Sequence, residues 1–117
     1  MRLKGKFRCV GASDTGRVRE HNEDTIGTDG DIGLVVLADG MGGYKAGEVA
    51  SGIAVRTVLT LVKDAVDRED LSLSDEVNGL SRPGILLRDA IQRANKVIFQ
   101  TAKTQSNCEG MGTTVVA

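Results

Sequence analysis

Neither sign of charge is in excess in this chain: fifteen basic side chains stand against sixteen acidic ones, for a net charge of −1. Without a basic surplus there is no electrostatic footprint for nucleic acid or for an anionic membrane surface. No apolar run approaches the ~20 residues needed to span a bilayer. Lys4, Lys6 and Arg8 interrupt the N-terminus too early for a secretory signal, so the expected location is the cytoplasm. Only two cysteines occur, Cys9 and Cys108, and they lack metal-ligand spacing. Both are expected to be reduced thiols. There is one histidine and one proline, and there are no internal repeats or low-complexity segments. What remains is 117 residues, 40% hydrophobic and 26% charged, one soluble globular domain's worth at most.

The most informative stretch is Asp39-Gly40-Met41-Gly42-Gly43, directly after the apolar run Gly33-Leu34-Val35-Val36-Leu37-Ala38. A short uninterrupted run of this kind reads as a fully buried strand. An aspartate at its end would be held rigidly at the rim of the core. The glycines after it let a ligand approach the backbone. The arrangement suits a metal or phosphate site, or equally a plain strand-to-helix turn with a capping aspartate. Upstream, Arg19-Glu20-His21-Asn22-Glu23-Asp24 gathers one arginine and three acids.

Taken together, Arg19…Asn22-Glu23-Asp24, Asp39-Gly40-Met41-Gly42-Gly43 and Gly112-Thr113-Thr114 resemble the N-terminal signature motifs of the metal-dependent serine/threonine protein phosphatases, type 2C, in order and at about the family's spacing. The flanking Ser13-Asp14-Thr15-Gly16-Arg17-Val18-Arg19 looks like the bacterial branch, and the resemblance covers essentially the whole chain.

Local patterns place these motifs. Phe7-Arg8-Cys9-Val10-Gly11-Ala12 alternates and predicts a first strand. Residues 25–28 and 34–38 predict a strand pair, with Asp29-Gly30-Asp31 between them as a hairpin signal. Apolar positions recurring at helical spacing predict amphipathic helices over residues 46–66 and from Pro83 to near Thr104. Residues 67–81 read as a surface connection. Thr113-Thr114-Val115-Val116-Ala117 reads as the first half of a buried strand that stops abruptly, so the sequence is expected to be a fragment. The fold class is therefore α+β, helices on a largely antiparallel sheet. The resemblance implies the N-terminal portion of a four-layer α-β-β-α sandwich, with residues 1–117 an incomplete type-2C catalytic domain.

Phosphate monoesters resist hydrolysis because negative charge shields the phosphorus and the alkoxide leaves poorly. Two divalent cations about 3.5–4 Å apart answer both difficulties, and they need a bridging carboxylate and hard oxygen ligands. By resemblance Asp39 bridges the metals, the Gly40 carbonyl and Glu23 serve one of them, and Asp24 holds metal-bound water. Arg19 corresponds to the phosphate-binding arginine and, with Asp39, to the catalytic pair. A guanidinium suits that role because it can donate two parallel hydrogen bonds to phosphate oxygens. Arg17 does not match the motif. His21 reads as a loop histidine without catalytic duty rather than a general acid. Met41 stands where animal members carry a histidine, which leaves the acid for the leaving group unassigned. Thr113 and Thr114 either orient a metal-ligating carboxylate or simply fill a strand.

The implied function is hydrolysis of phosphoserine and phosphothreonine on proteins with Mg²⁺ or Mn²⁺, opposing a serine/threonine kinase. Two metals belong to the intact site. The further aspartates that complete the pair have no counterpart here, so at most one metal is well liganded and this chain alone is expected to be inactive or very weak. The alternatives are a phosphatase-like binding or regulatory module without turnover, and a sporulation or stress-response phosphatase acting on one dedicated partner. Open strand edges raise the expectation of self-association.

Overall fold

The structure is a computed structural model that describes residues 5–6, 8–43, 45–68 and 81–117. Strands β1 (Asp24–Asp29) and β2 (Leu34–Met41) form the antiparallel hairpin that the Asp-Gly signal predicts, in a register that sets Asp24 opposite Asp39 and Asp29 opposite Leu34. Strand β3 (Gly112–Thr113) joins the far edge of β2, giving the order β1-β2-β3. Pairing continues past β3 through two 2.8 Å hydrogen bonds exchanged between Leu37 and Val116.

Helix α1 (Ala46–Arg68) lies across this sheet, and α2 (Arg82–Thr104) packs on α1. The helix α1 buries Ala50, Ala54, Val55, Val58 and Val62, at spacings of three and four, against Leu34, Val36 and Ala38 of β2. Gly27 lets β1 and α1 meet closely: a Cβ there would stand 2.5 Å from Val55 Cγ1 and Leu59 Cδ1. Helix α2 starts at Ser81, whose hydroxyl accepts the Gly84 N–H, with Pro83 in the first turn, and buries Ala90, Ala94 and Ile98. A 3₁₀ turn, Ser106–Cys108, leads into β3 and buries Cys108.

Three expectations need correction. The β2 run is not fully buried: Leu34, Val36 and Ala38 face α1, while Val35 and Leu37 on the opposite face are 48% and 45% exposed. Helices cover only one face of the sheet among the described residues, so the strand shows period-two burial despite its continuous apolarity. Residues 8–12 of the expected first strand join no ladder, since that alternation has nothing to bury against and Val10 is exposed; Phe7 lies outside the described residues. The last strand is shorter than expected, and Val116 is exposed. Most of the 67–81 connection also lies outside the described residues.

Candidate active site

Residues at odd positions of β2 point away from α1, so Asp39 projects onto the open face of the sheet at the strand's end. Its cross-strand partner is Asp24, the first residue of β1, which brings two carboxyls side by side. Their proximity shows in the titration of Asp24. A side-chain hydrogen bond to Asp39 is the largest cause holding the Asp24 carboxyl above the ordinary range. Desolvation and the charges of Asp39 and Glu23 add to this, and Arg19 opposes it.

The backbone of Asp39 is fixed from the β3 side. Its N–H donates to Thr114 Oγ1 at 3.1 Å, and its carbonyl accepts the Thr114 N–H at 3.0 Å. The Thr114 hydroxyl thus holds the peptide of Asp39, not its carboxylate, and the Thr113 hydroxyl donates to the Thr114 carbonyl. From the β1 side, the Gly40 N–H donates to the Glu23 carbonyl at 3.1 Å.

Gly40 and Gly47 dock the first turn of α1 onto the strand end. A Cβ on Gly40 would overlap the Gly47 carbonyl. A Cβ on Gly47 would stand 2.5–2.8 Å from the carboxylate atoms of Glu23. The Glu23 carboxylate therefore lies over the helix start. Asn22 joins this corner to the upstream loop: its Oδ1 accepts the Asp24 N–H at 3.1 Å, and its Nδ2 donates to Ser13 Oγ at 2.7 Å. Asp14 closes a second turn of this kind by accepting the Gly16 N–H at 2.8 Å.

A cleft of about 180 Å³ is lined by Asp14, Thr15, Arg19, His21, Asn22, Glu23, Asp24 and Asp39. The fold thus collects Arg19, Glu23, Asp24 and Asp39 at one opening, with Gly40 and Thr114 supporting Asp39 from behind. Arg17 is not part of that lining, and Thr113 faces another cavity. The positioning roles of Asn22 and Gly47 escaped the sequence reading. An Asn two residues before an acid is a recognisable Asx-turn signal, whereas the approach of Gly47 to Glu23 has no local signature.

These groups fit a hard divalent cation in kind: three carboxylates and a backbone carbonyl, two of the carboxyls being cross-strand neighbours. They fall short in number, because among the described residues no three His, Cys, Asp or Glu side chains converge on one point.

Residues 13–117 match the family described as Protein phosphatase 2C. The serine/threonine phosphatase stp of Listeria monocytogenes is 39% identical over 108 residues, covering 90% of this chain and 39% of that protein. The serine/threonine protein phosphatase PstP of Mycobacterium tuberculosis is 34% identical over 111 residues, covering 95% of this chain and 19% of that one. The crystal structure of the Mycobacterium tuberculosis serine/threonine phosphatase PstP/Ppp superposes with a TM-score of 0.66 at 35% identity, over 89% of this chain and 38% of that chain. The chain spans about two fifths or less of the length of these relatives.

Proposed function

Because the chain belongs to the protein phosphatase 2C family, we propose that it supplies part of the catalytic domain of an enzyme that hydrolyses phosphoserine and phosphothreonine on proteins. The observation that carries this reading is the cross-strand Asp24–Asp39 pair, clamped at the mouth of a cleft that also admits Arg19 and Glu23. Asp39, the Gly40 carbonyl and Glu23 are the groups that would hold Mg²⁺ or Mn²⁺, with Asp24 beside them. Such a cation, when bound, offsets charge on the phosphoryl oxygens and acidifies a water.

The chain's own residues do the rest. Thr114 and the Glu23 carbonyl fix the peptide around Asp39, so its carboxylate is presented without reorganisation at the moment of reaction. Asn22 holds the backbone of Asp24 in register with it. Arg19, at the same opening, can grip two phosphate oxygens in parallel and orient the ester. The partners in this reading are phosphorylated proteins made by a serine/threonine kinase, and the compartment is the cytoplasm. Among the described residues no helix is long and apolar enough to cross a membrane.

A second reading, a phosphatase-like binding module without turnover, is favoured for the 117-residue chain by the absence of three converging metal-ligating side chains among the described residues. Hydrolysis of p-nitrophenyl phosphate and of a phosphothreonine peptide with added Mn²⁺ separates the two. Metal-dependent turnover that Asp39→Asn abolishes supports the phosphatase. Metal binding without turnover, in this chain and in any longer chain that carries it, supports the module.

A further inference from the structure

The two helices carry a charge pattern that the balanced composition conceals. Residues 49–63 and 90–104 contain no Asp or Glu, yet they carry Arg56, Lys63, Arg93, Lys96 and Lys103. Arg56 sits mid-way along α1 and Arg93 mid-way along α2. The two line one groove of about 280 Å³ between the helices, together with Thr57, Thr60, Leu61 and Val97. This groove shares no residue with the Asp39 cleft. It lies on the helix layer, whereas Asp39 projects from the open face of the sheet.

Among the described residues neither guanidinium has an acidic partner, and neither threonine hydroxyl has a hydrogen bond. The nearby acids are otherwise placed: Asp89 is held by Arg88 at 3.2 Å, and Asp64 and Asp67 sit in the last turns of α1. Lys96 follows Arg93 by three residues and Lys63 follows Arg56 by seven, spacings that put each on its arginine's side of the helix. Two like charges sharing a groove without a counter-ion attract an anion. Guanidiniums match phosphate better than carboxylate in charge, since each can donate two parallel hydrogen bonds to a dianion, and the hydroxyls add further donors. Leu61 and Val97 give the apolar floor that residues flanking a phosphorylated side chain require.

We infer that the Arg56–Arg93 groove docks a phosphorylated serine or threonine segment of a partner protein at a distance from the reacting site. It rests on the proposed phosphatase reading only in expecting phosphoproteins as partners. Charge complementarity selects this occupant: a neutral apolar segment would leave both groove-lining guanidiniums without a counter-ion.

The test measures binding without turnover. A fluorescein-labelled peptide with one phosphothreonine between Leu and Val residues is titrated with the protein in EDTA at low salt, followed by anisotropy. The proteins compared are the wild type, Arg56→Ala/Arg93→Ala, Arg56→Lys/Arg93→Lys and Arg88→Ala, each checked by circular dichroism. The alanine pair should weaken binding about tenfold or more. The lysine pair, which keeps the charge and loses the fork, should weaken it about threefold or more. Arg88→Ala, which removes a positive charge outside the groove, should leave it unchanged, and the peptides with threonine or glutamate in place of phosphothreonine should bind at least about tenfold more weakly than the phosphopeptide. The inference is overturned if either groove variant binds as the wild type does, if Arg88→Ala weakens binding as much as the alanine pair does, or if the glutamate peptide binds equally. Because the readout needs neither metal nor hydrolysis, failure of the phosphatase reading leaves this result interpretable.

Discussion

Thr114 holds Asp39 by both ends of its residue, accepting at the hydroxyl and donating from the amide. Thr114→Val keeps the shape and removes the acceptor, so it should cost about 0.5–1.5 kcal/mol in a denaturant titration. It should also lower Mn²⁺ affinity, because Asp39 loses its alignment. Asp39 itself works against the fold. Its carboxyl is the main reason the Asp24 proton is held more tightly than in the unfolded chain. A raised acid favours the folded state below the ordinary carboxyl range, and that advantage is lost as pH rises through the higher folded value. Asp39→Asn removes this cause. It should flatten the acid-side dependence of stability, raise the melting temperature at neutral pH and abolish Mn²⁺ binding in calorimetry. A variant that binds Mn²⁺ as the wild type does would sink the metal assignment. For Arg19, alanine should cost on the order of 2–3 kcal/mol of phosphate binding while leaving metal affinity alone, as read by calorimetric titrations of inorganic phosphate and of Mn²⁺.

At the scale of elements, two glycines in contact make opposite predictions. A Cβ on Gly40 meets the backbone carbonyl of Gly47, which can yield only if α1 moves off the strand. Gly40→Ala should therefore destabilise by about 1–3 kcal/mol. A Cβ on Gly47 meets the carboxylate end of Glu23, which can swing away. Gly47→Ala should leave stability near the wild type, helped by about 0.8–1 kcal/mol of helix propensity, and still weaken Mn²⁺ binding by displacing Glu23. Equal loss of stability in both variants would show that the Glu23 side chain is not free to move. This corner also shows what the sequence could carry. The hairpin and both helices are legible from an Asp-Gly pair and a three-and-four apolar spacing, because those signals are local. The partial exposure of β2 and the absence of a strand at 8–12 are not, because both depend on whether a second layer covers the sheet. The grouping of Arg19, Glu23, Asp24 and Asp39 is readable only as motif resemblance. The Asp24–Asp39 register that joins them is a tertiary fact set by the turn, and the direction of Glu23 is decided by Gly47, a residue with no local mark.

Among the described residues the helices cover the sheet on one side only. Val35 and Leu37 project from β2 onto its open face, and Met41 and Val116 are each 64% exposed. Val116 lies opposite Leu37 across the strand pair, so these groups adjoin one another. Apolar side chains grouped on an uncovered sheet are an association surface, since pairing two such faces removes both from water. Each fully buried Leu or Val contributes roughly 1.5–3 kcal/mol, enough to hold copies together at micromolar concentration once several act jointly. The 117-residue chain should therefore self-associate in light scattering, and Leu37→Lys/Val116→Lys should restore a monomer without altering the helical signal in circular dichroism. The same open face bears Asp39, so association would also obstruct the cleft. With no three convergent metal-ligating side chains among the described residues, turnover of p-nitrophenyl phosphate by this chain should lie at least about a hundredfold below that of a complete type-2C phosphatase, roughly 2.7 kcal/mol in barrier. The lysine pair should not recover that deficit, because it restores solubility and supplies no ligand. A monodisperse wild-type chain with near-full Mn²⁺-dependent turnover would overturn both the association surface and the expected shortage of metal ligands.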